Sequence, residues 1–422
     1  MKITKRILLI VLCLALSSYL FAQKDSINDN EQLKHRVENL ERIVNRLNNI
    51  KLSGYFQPQF ISAQKDANIR IGGSNENPNK SFNRIGIRRG RIKTTYEEGL
   101  ASVVFQIDIT ERGVAARDAY LKIKDPWFKT SFIQAGLFFR PFGHEIGYSS
   151  SRRESPERSR IITTLFPGER DLGASIQFRA KDGSPLDIFS LETALVAGNG
   201  ISMESDNRRD FIGHLTASPK IGKNASLTVG TSYYLGSVYQ GTQNVYRMQN
   251  GGFVLNSNPQ NLGRFARREY LGFDLQTNWA NPFGGTQIRA EYIFGQQPGS
   301  ENSTVSPQSS VRPSHDTYLR NFSGGYIFLI QDIGKLPFEA LLKYDWYDPN
   351  IKVSGNNIGL KGTNRADIKY STVGFGAIWH AYKNVELQAY YEIIKNETST
   401  NLLGFENDLK DNTFTLTLQF RY

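Results

Sequence analysis

The last ten residues, TFTLTLQFRY, put Phe414, Leu416, Leu418, Phe420 and Tyr422 in one phase and Thr413, Thr415, Thr417, Gln419 and Arg421 in the other. Side chains of an extended chain alternate between its two faces, so this segment is a strand with one greasy face and one wet face. The split recurs in ASVVFQIDIT, where Val103, Phe105, Ile107 and Ile109 oppose Ser102, Gln106 and Asp108. It recurs again in NVELQAYYEI and in the stretches Ala225 to Leu235, Leu271 to Trp279, Ile288 to Phe294 and Ala340 to Trp346. Turn signals such as KDG, NPFGG and YDPN separate these segments, which predicts an antiparallel sheet from Leu52 to the end of the chain.

Alternation alone fits a soluble sandwich as well as a membrane barrel. Three features favour the barrel. The segments run to about ten residues, the length of a tilted strand crossing a hydrocarbon layer. Aromatic residues, 12% of the chain, crowd segment ends, as in KYDWYDP, and the polar phase carries the charges of Arg289, Glu291, Lys343 and Asp345. A closed barrel also leaves no unpaired sheet edge, and lipid tolerates none.

The N-terminus agrees with export. Lys2, Lys5 and Arg6 precede the apolar run Ile7 to Leu16, and SSYLFA follows, so residues 1–22 read as a signal peptide cleaved after Ala22. The only cysteine, Cys13, lies in that signal, which leaves no disulfide or thiolate site beyond it. Removing the signal takes the formal charge from +11 to +8, a balance that suits anionic solutes or acidic lipid, while export makes nucleic acid a poor partner. Residues 23–51 hold Leu33, Val37, Leu40, Val44 and Leu47 at alternating spacings of four and three, the seam of a short coiled coil. The expected organisation is therefore 1–22 signal, 23–51 coiled-coil segment and 52–422 barrel.

Several motifs carry a further resemblance: the arginine-rich strand Arg84 to Lys93, QID at Gln106 to Asp108, DAY at Asp118 to Tyr120, PFG followed by Glu145 at Pro141 to Glu145, and PGERDLGA at Pro167 to Ala174. With them the chain resembles the phosphate-selective porin O and P family in its Bacteroidetes form, from SGYFQPQF to the terminal aromatic. The resemblance implies a barrel of about 16 strands in the outer membrane of a Gram-negative bacterium, a homotrimer, a coiled coil on the periplasmic side, a lumen favouring anions, phosphate or polyphosphate among them, and no cofactor. Tyr422 looks like the terminal aromatic by which the barrel-assembly machinery recognises its clients.

If the apolar phase of strand 84–93 faces lipid, Arg89, Arg91 and Lys93 face the lumen, because a basic side chain on the lipid face near the midplane costs about 2–4 kcal/mol. The alternation slips at Arg88, as a bulge would make it do. The run SSSRRESPERSR, Ser149 to Arg160, carries four arginines between strand-like stretches, with Pro156 and Pro167 as breakers, and reads as a loop. Folded inward, it would set Arg152, Arg153, Arg158 and Arg160 at a constriction. The expected pore-lining set is thus Arg84, Arg88, Arg89, Arg91, Lys93, Arg140, Arg152, Arg153, Arg158, Arg160 and Arg170, with Arg267 and Arg268 taken as surface-loop arginines. Planar guanidinium suits phosphate and carboxylate. Two competing readings pair these arginines with lumenal acids that stiffen the wall, or leave the loop outside as a charged rim. The five histidines show no metal-ligand spacing, and neither a nucleophile elbow nor a phosphate-binding glycine loop is present, so no enzyme is expected; His144 beside Glu145 is the one pair that invites inspection. The remaining alternative is a structural or adhesive barrel occluded by its loops.

Overall fold

The computed structural model describes residues 31–44 and 46–422; the expected signal and its cleavage point lie outside them. Residues 31–44 are helical (α1), and the barrel begins at Ile50, two residues before the expected boundary. In chain order the strands are β1 (Ile50–Ala63), β2 (Phe82–Glu98), β3 (Ala101–Thr110), β4 (Gly113–Lys124), β5 (Phe132–Phe139), β6 (Arg170–Arg179), β7 (Phe189–Val196), β8 (Asp210–Ala217) and β9 (Ala225–Tyr239). They continue as β10 (Asn244–Gln249), β11 (Gly252–Ser257), β12 (Phe265–Asn281), β13 (Gly284–Gly299), β14 (Thr317–Asp332), β15 (Phe338–Asp348), β16 (Tyr370–Tyr382), β17 (Val385–Asn396) and β18 (Thr413–Arg421).

Each strand of the wall pairs antiparallel with its sequence neighbour, and β18 returns to β1, with Phe60 opposite Leu416 and Ala63 opposite Thr413. The β10–β11 hairpin stands apart in the loop between β9 and β12, where β10 lies parallel on β14. Of eighteen strands, sixteen therefore form the closed wall. Closure satisfies every strand edge, the condition for a sheet surrounded by lipid.

The alternation fixes which face goes where. In β18, Thr413, Thr415, Thr417 and Gln419 are buried inside, while Leu418 and Phe420 face out and are about half exposed. Phe105, Leu121, Ile133, Leu195, Phe273, Ile327 and Leu342 continue this apolar band round the wall. An exposed patch of that extent is a lipid-contacting surface. Trp127, Phe128, Phe283, Phe338, Trp379 and Tyr382 rim the end with the short turns, and Tyr292, Tyr344 and Trp346 stack on the outside toward the other end. β1 starts and β18 ends at the short-turn side, which is the periplasmic side in barrels of this kind.

β2 contains the expected bulge. Pairing with β1 shifts between Gln57 and Pro58, whose partners are Arg89 and Ile87, so Arg88 is the extra residue. A bulge lets two successive side chains leave on one side of the sheet. Ile85 stays outside at 79% exposure, while Arg88 and Arg89 both turn inward to the same carboxylate.

Candidate functional site

The segment between β5 and β6, residues 140–169, is the third loop on the long-loop side, and it folds into the barrel. Its backbone and side chains meet the inner wall all the way round. Ser150 O accepts from Gln57 on β1 at 3.2 Å, and Ser151 O from Gln419 and Arg421 on β18 at 3.0 Å each. Glu154 pairs with Arg289 on β13 at 2.7 Å, Glu145 with Lys343 on β15 at 2.8 Å, and Glu157 with Arg88 on β2 at 2.8 Å. Gly143, at φ +60°, donates its N–H to Ser232 on β9 at 2.9 Å. A segment can reach all these strands only from inside the ring.

Within the loop lies a short helix, α2 (Arg160–Leu165), whose Ile161, Ile162 and Leu165, followed by Phe166, are buried. They pack on Val196, Ile212, Tyr234, Tyr270, Ile293, Phe322 and Tyr347, an apolar lining on the inner face of β7–β9 and β12–β15. Gly324 permits the approach, since a β-carbon there would lie 2.9 Å from Ile161 Cδ1. Burying side chains of this size contributes about 1.5–3 kcal/mol each. The loop thus fills one half of the lumen with apolar packing and is tied to the other half by charge pairs.

The space left over is divided into cavities. The first, about 340 Å³, lies against β2–β4 and is lined by Arg70, Arg88, Arg89, Arg91, Arg112 and Arg117, with Asp108, Glu111, Glu157 and Glu169 among them. The second, about 330 Å³, lies against β15–β18 and β1; Glu157 and Thr163 of the loop border both. The third, about 600 Å³, opens toward the short-turn end between Lys93, Arg152, Arg421 and Tyr422.

The expected arginines divide accordingly. Arg88, Arg89 and Arg91 line the first cavity, Arg158 and Arg160 the second, and Lys93 and Arg152 the third. Most are committed to partners. Arg89 and Arg88 share Glu157; Arg91 and Arg117 share Asp108, at 3.5 and 3.1 Å. Burial alone would push the Glu157 carboxyl up, but Arg88 and Arg89 beside it hold it well below the usual carboxylate range. Arg160 lies 4.0 Å above the Tyr370 ring. Lys93 and Arg152 have no ion-pair partner among the described residues.

Four members of the expected set line none of these three cavities. Arg84 is held at the mouth by Glu76 and the carbonyls of Gly73 and Ser74. Arg140 is sealed against Asp171 at 2.9 Å, and Arg170 against Asp118 at 2.9 Å, where each anchors an end of the loop. Arg153 bonds to Ser155 O and Pro156 O and shapes the loop's own turn. Arg158, though it borders the second cavity, also serves the loop, spanning Glu145 O, Ile146 O and Tyr148 O and pairing with Glu169 at 2.6 Å. Charge buried without a partner is too costly to keep, so these positions carry acids or carbonyls beside each guanidinium.

Arg267 and Arg268 are not in a loop. Both lie on β12, and Arg268 points inward, 1% exposed and paired with Asp210. His144 and Glu145 do not act together: Glu145 is taken by Lys343 and by the Ser159 N–H at 3.0 Å, and the His144 ring packs on Tyr148. Arg70, Arg112 and Arg117 were not among the expected lining residues. Arg117 is the extra residue of a bulge in β4, between Ala116 opposite Ile107 and Asp118 opposite Gln106, and it turns inward with Asp118.

This is the fold of the sixteen-stranded outer-membrane porins. The structure is similar to OprB of Pseudomonas putida (TM-score 0.54, 10% identity, 92% of this chain and 96% of that one) and to the outer-membrane channel DcaP of Acinetobacter baumannii (TM-score 0.51, 12% identity, 88% and 97%). It is equally similar to an anion-selective porin from Comamonas acidovorans (TM-score 0.51, 11% identity, 88% and 99%). Protein-family models give no match, and neither do curated proteins. The comparisons thus support a porin architecture and do not single out the phosphate-selective family.

Proposed function

We propose that the protein is an outer-membrane pore for passive diffusion of small hydrophilic solutes, with a preference for anions. The observation that carries this reading is the line of basic side chains down β2: Arg88, Arg89 and Arg91 in the first cavity and then Lys93 in the third, where Arg152 joins it. The first cavity has six arginines against four acids, a net charge of two positive. Positive potential in a confined, partly desolvated passage raises the local concentration of anions. Carboxylates beside these guanidinium groups temper the field, so a passing phosphate or carboxylate is met without being trapped. The exposed seam of α1, with Leu33 and Leu40 each about 60% exposed, supports a helix that reinforces a homo-oligomer, a homotrimer in this reading, without creating it.

Planar-bilayer recordings test the reading. In a potassium chloride gradient the reversal potential should indicate anion preference, and Arg152→Glu should lower the anion-over-cation permeability ratio severalfold. Arg267→Glu, on the outer part of β12, should change it much less. At about 1 M salt, where the Debye length is about 3 Å, part of the Arg152 effect should persist. A barrel occluded by its loops would show no conductance at all.

A further inference from the structure

The second cavity has the opposite charge from the first. Five acids and three arginines border it, a net charge of two negative. Three of these groups are already engaged, Glu157 by Arg88, Arg158 by Glu169, and Asp66 by Lys65 at 3.8 Å. Asp345, Glu392 and Asp411 have no ion-pair partner among the described residues. Asp345 accepts only the backbone N–H of Arg160 at 3.3 Å, and Glu392 only the Thr413 hydroxyl at 3.1 Å. Asp411 is 7% exposed, and its Oδ1 is buried without any hydrogen-bond partner. On the same side, Nε of Arg160 is also buried and unpartnered, while its guanidinium rests on Tyr370.

Acids buried in this way call for a donor that the chain does not supply. Asp411, on the loop before β18, is the clearest case: burial pushes it up to about 6, against the pull of Arg160, and a bound cation would restore its charge. An ammonium group supplies three donors, enough for these carboxylates in turn. Arg160 supplies the complementary fork for a carboxylate at the other end of the same solute.

Resting on the reading of the barrel as a pore, we propose that this cavity is a site for a primary ammonium group and, with Arg160 beside it, for zwitterions: amino acids and short peptides with free termini. The lumen then has two lanes, a cationic one along β2 for anions and an acidic one along β15–β18 for solutes bearing an ammonium group.

Proteoliposome swelling with glycylglycine and with N-acetylglycinamide, a neutral solute of similar size lacking both charges, tests it. In the unaltered protein glycylglycine should enter about threefold faster or more, because a weak site raises occupancy of the passage. In the double variant Asp411→Asn, Glu392→Gln the ratio should fall to about one. Heat-modifiability on a gel reports folding of the variant; should it fail to fold, Asp411→Asn alone, on a loop outside the wall, carries the test. A ratio of one in the unaltered protein, with chloride current present in a bilayer, overturns the proposal alone. An unchanged ratio in a folded variant also overturns it. Entry of neither solute, with no chloride current, overturns the pore reading and the proposal together.

Discussion

Glu157 holds two guanidinium groups that would otherwise face the solute path, and it does so from the tip of the inward loop. Because its folded pKa is depressed, its contribution to the anchor is complete above the ordinary glutamate value of about 4.3 and is lost only when pH falls well below that. Open-channel noise should therefore be no greater at pH 4.5 than at pH 7. Glu157→Gln should raise the noise at pH 7 and also raise the anion-over-cation ratio, since it removes one negative charge and frees Arg88 and Arg89. At this scale the sequence was legible where alternation is strict: the inward phase of Arg89, Arg91 and Lys93, and the slip at Arg88, follow from Ile85 and Ile92 needing lipid. It was not legible where an arginine's neighbour comes from elsewhere in the chain. Nothing local to Arg140 or Arg268 announces Asp171 or Asp210, and without them a lumenal arginine and a sealed one look alike.

The element that decides the bore is α2. Its apolar face holds the loop against β7–β9 and β12–β15, and Phe166 is at the centre, in contact with the rings of Phe142, Tyr234 and Tyr270. Phe166→Ala leaves a hole costing about 3–5 kcal/mol, enough to loosen a loop whose other ties are polar. The variant should give a larger single-channel conductance step, while the barrel keeps its heat-modifiability; a step of unchanged size would show that the charge pairs hold the loop unaided. The apolar run of RIITTLF, Ile161 to Phe166, was not read from the sequence, because its burial partners lie on seven different strands and nothing local names them. The strands themselves were readable because a period of two is imposed by the two solvents on either side of the wall. The β10–β11 hairpin escaped notice because it lies above the barrel, where no lipid enforces alternation.

On the scale of the whole molecule, ring closure by β1 and β18 makes the barrel complete without α1. A helix of under three heptads is marginal alone, so it reinforces an assembly that barrel contacts must establish. Deleting residues 26–49 should leave a heat-modifiable, detergent-stable oligomer by gel filtration; a monomer would make α1 the principal contact. The loop that fills half the lumen also changes what kind of sieve this is. A round hole sorts molecules by volume, whereas a bore packed on one side and partitioned on the other is a slot. A slot sorts by the narrowest dimension and ignores length. Sorbitol, a chain, should therefore enter proteoliposomes faster than myo-inositol, a ring of nearly equal mass.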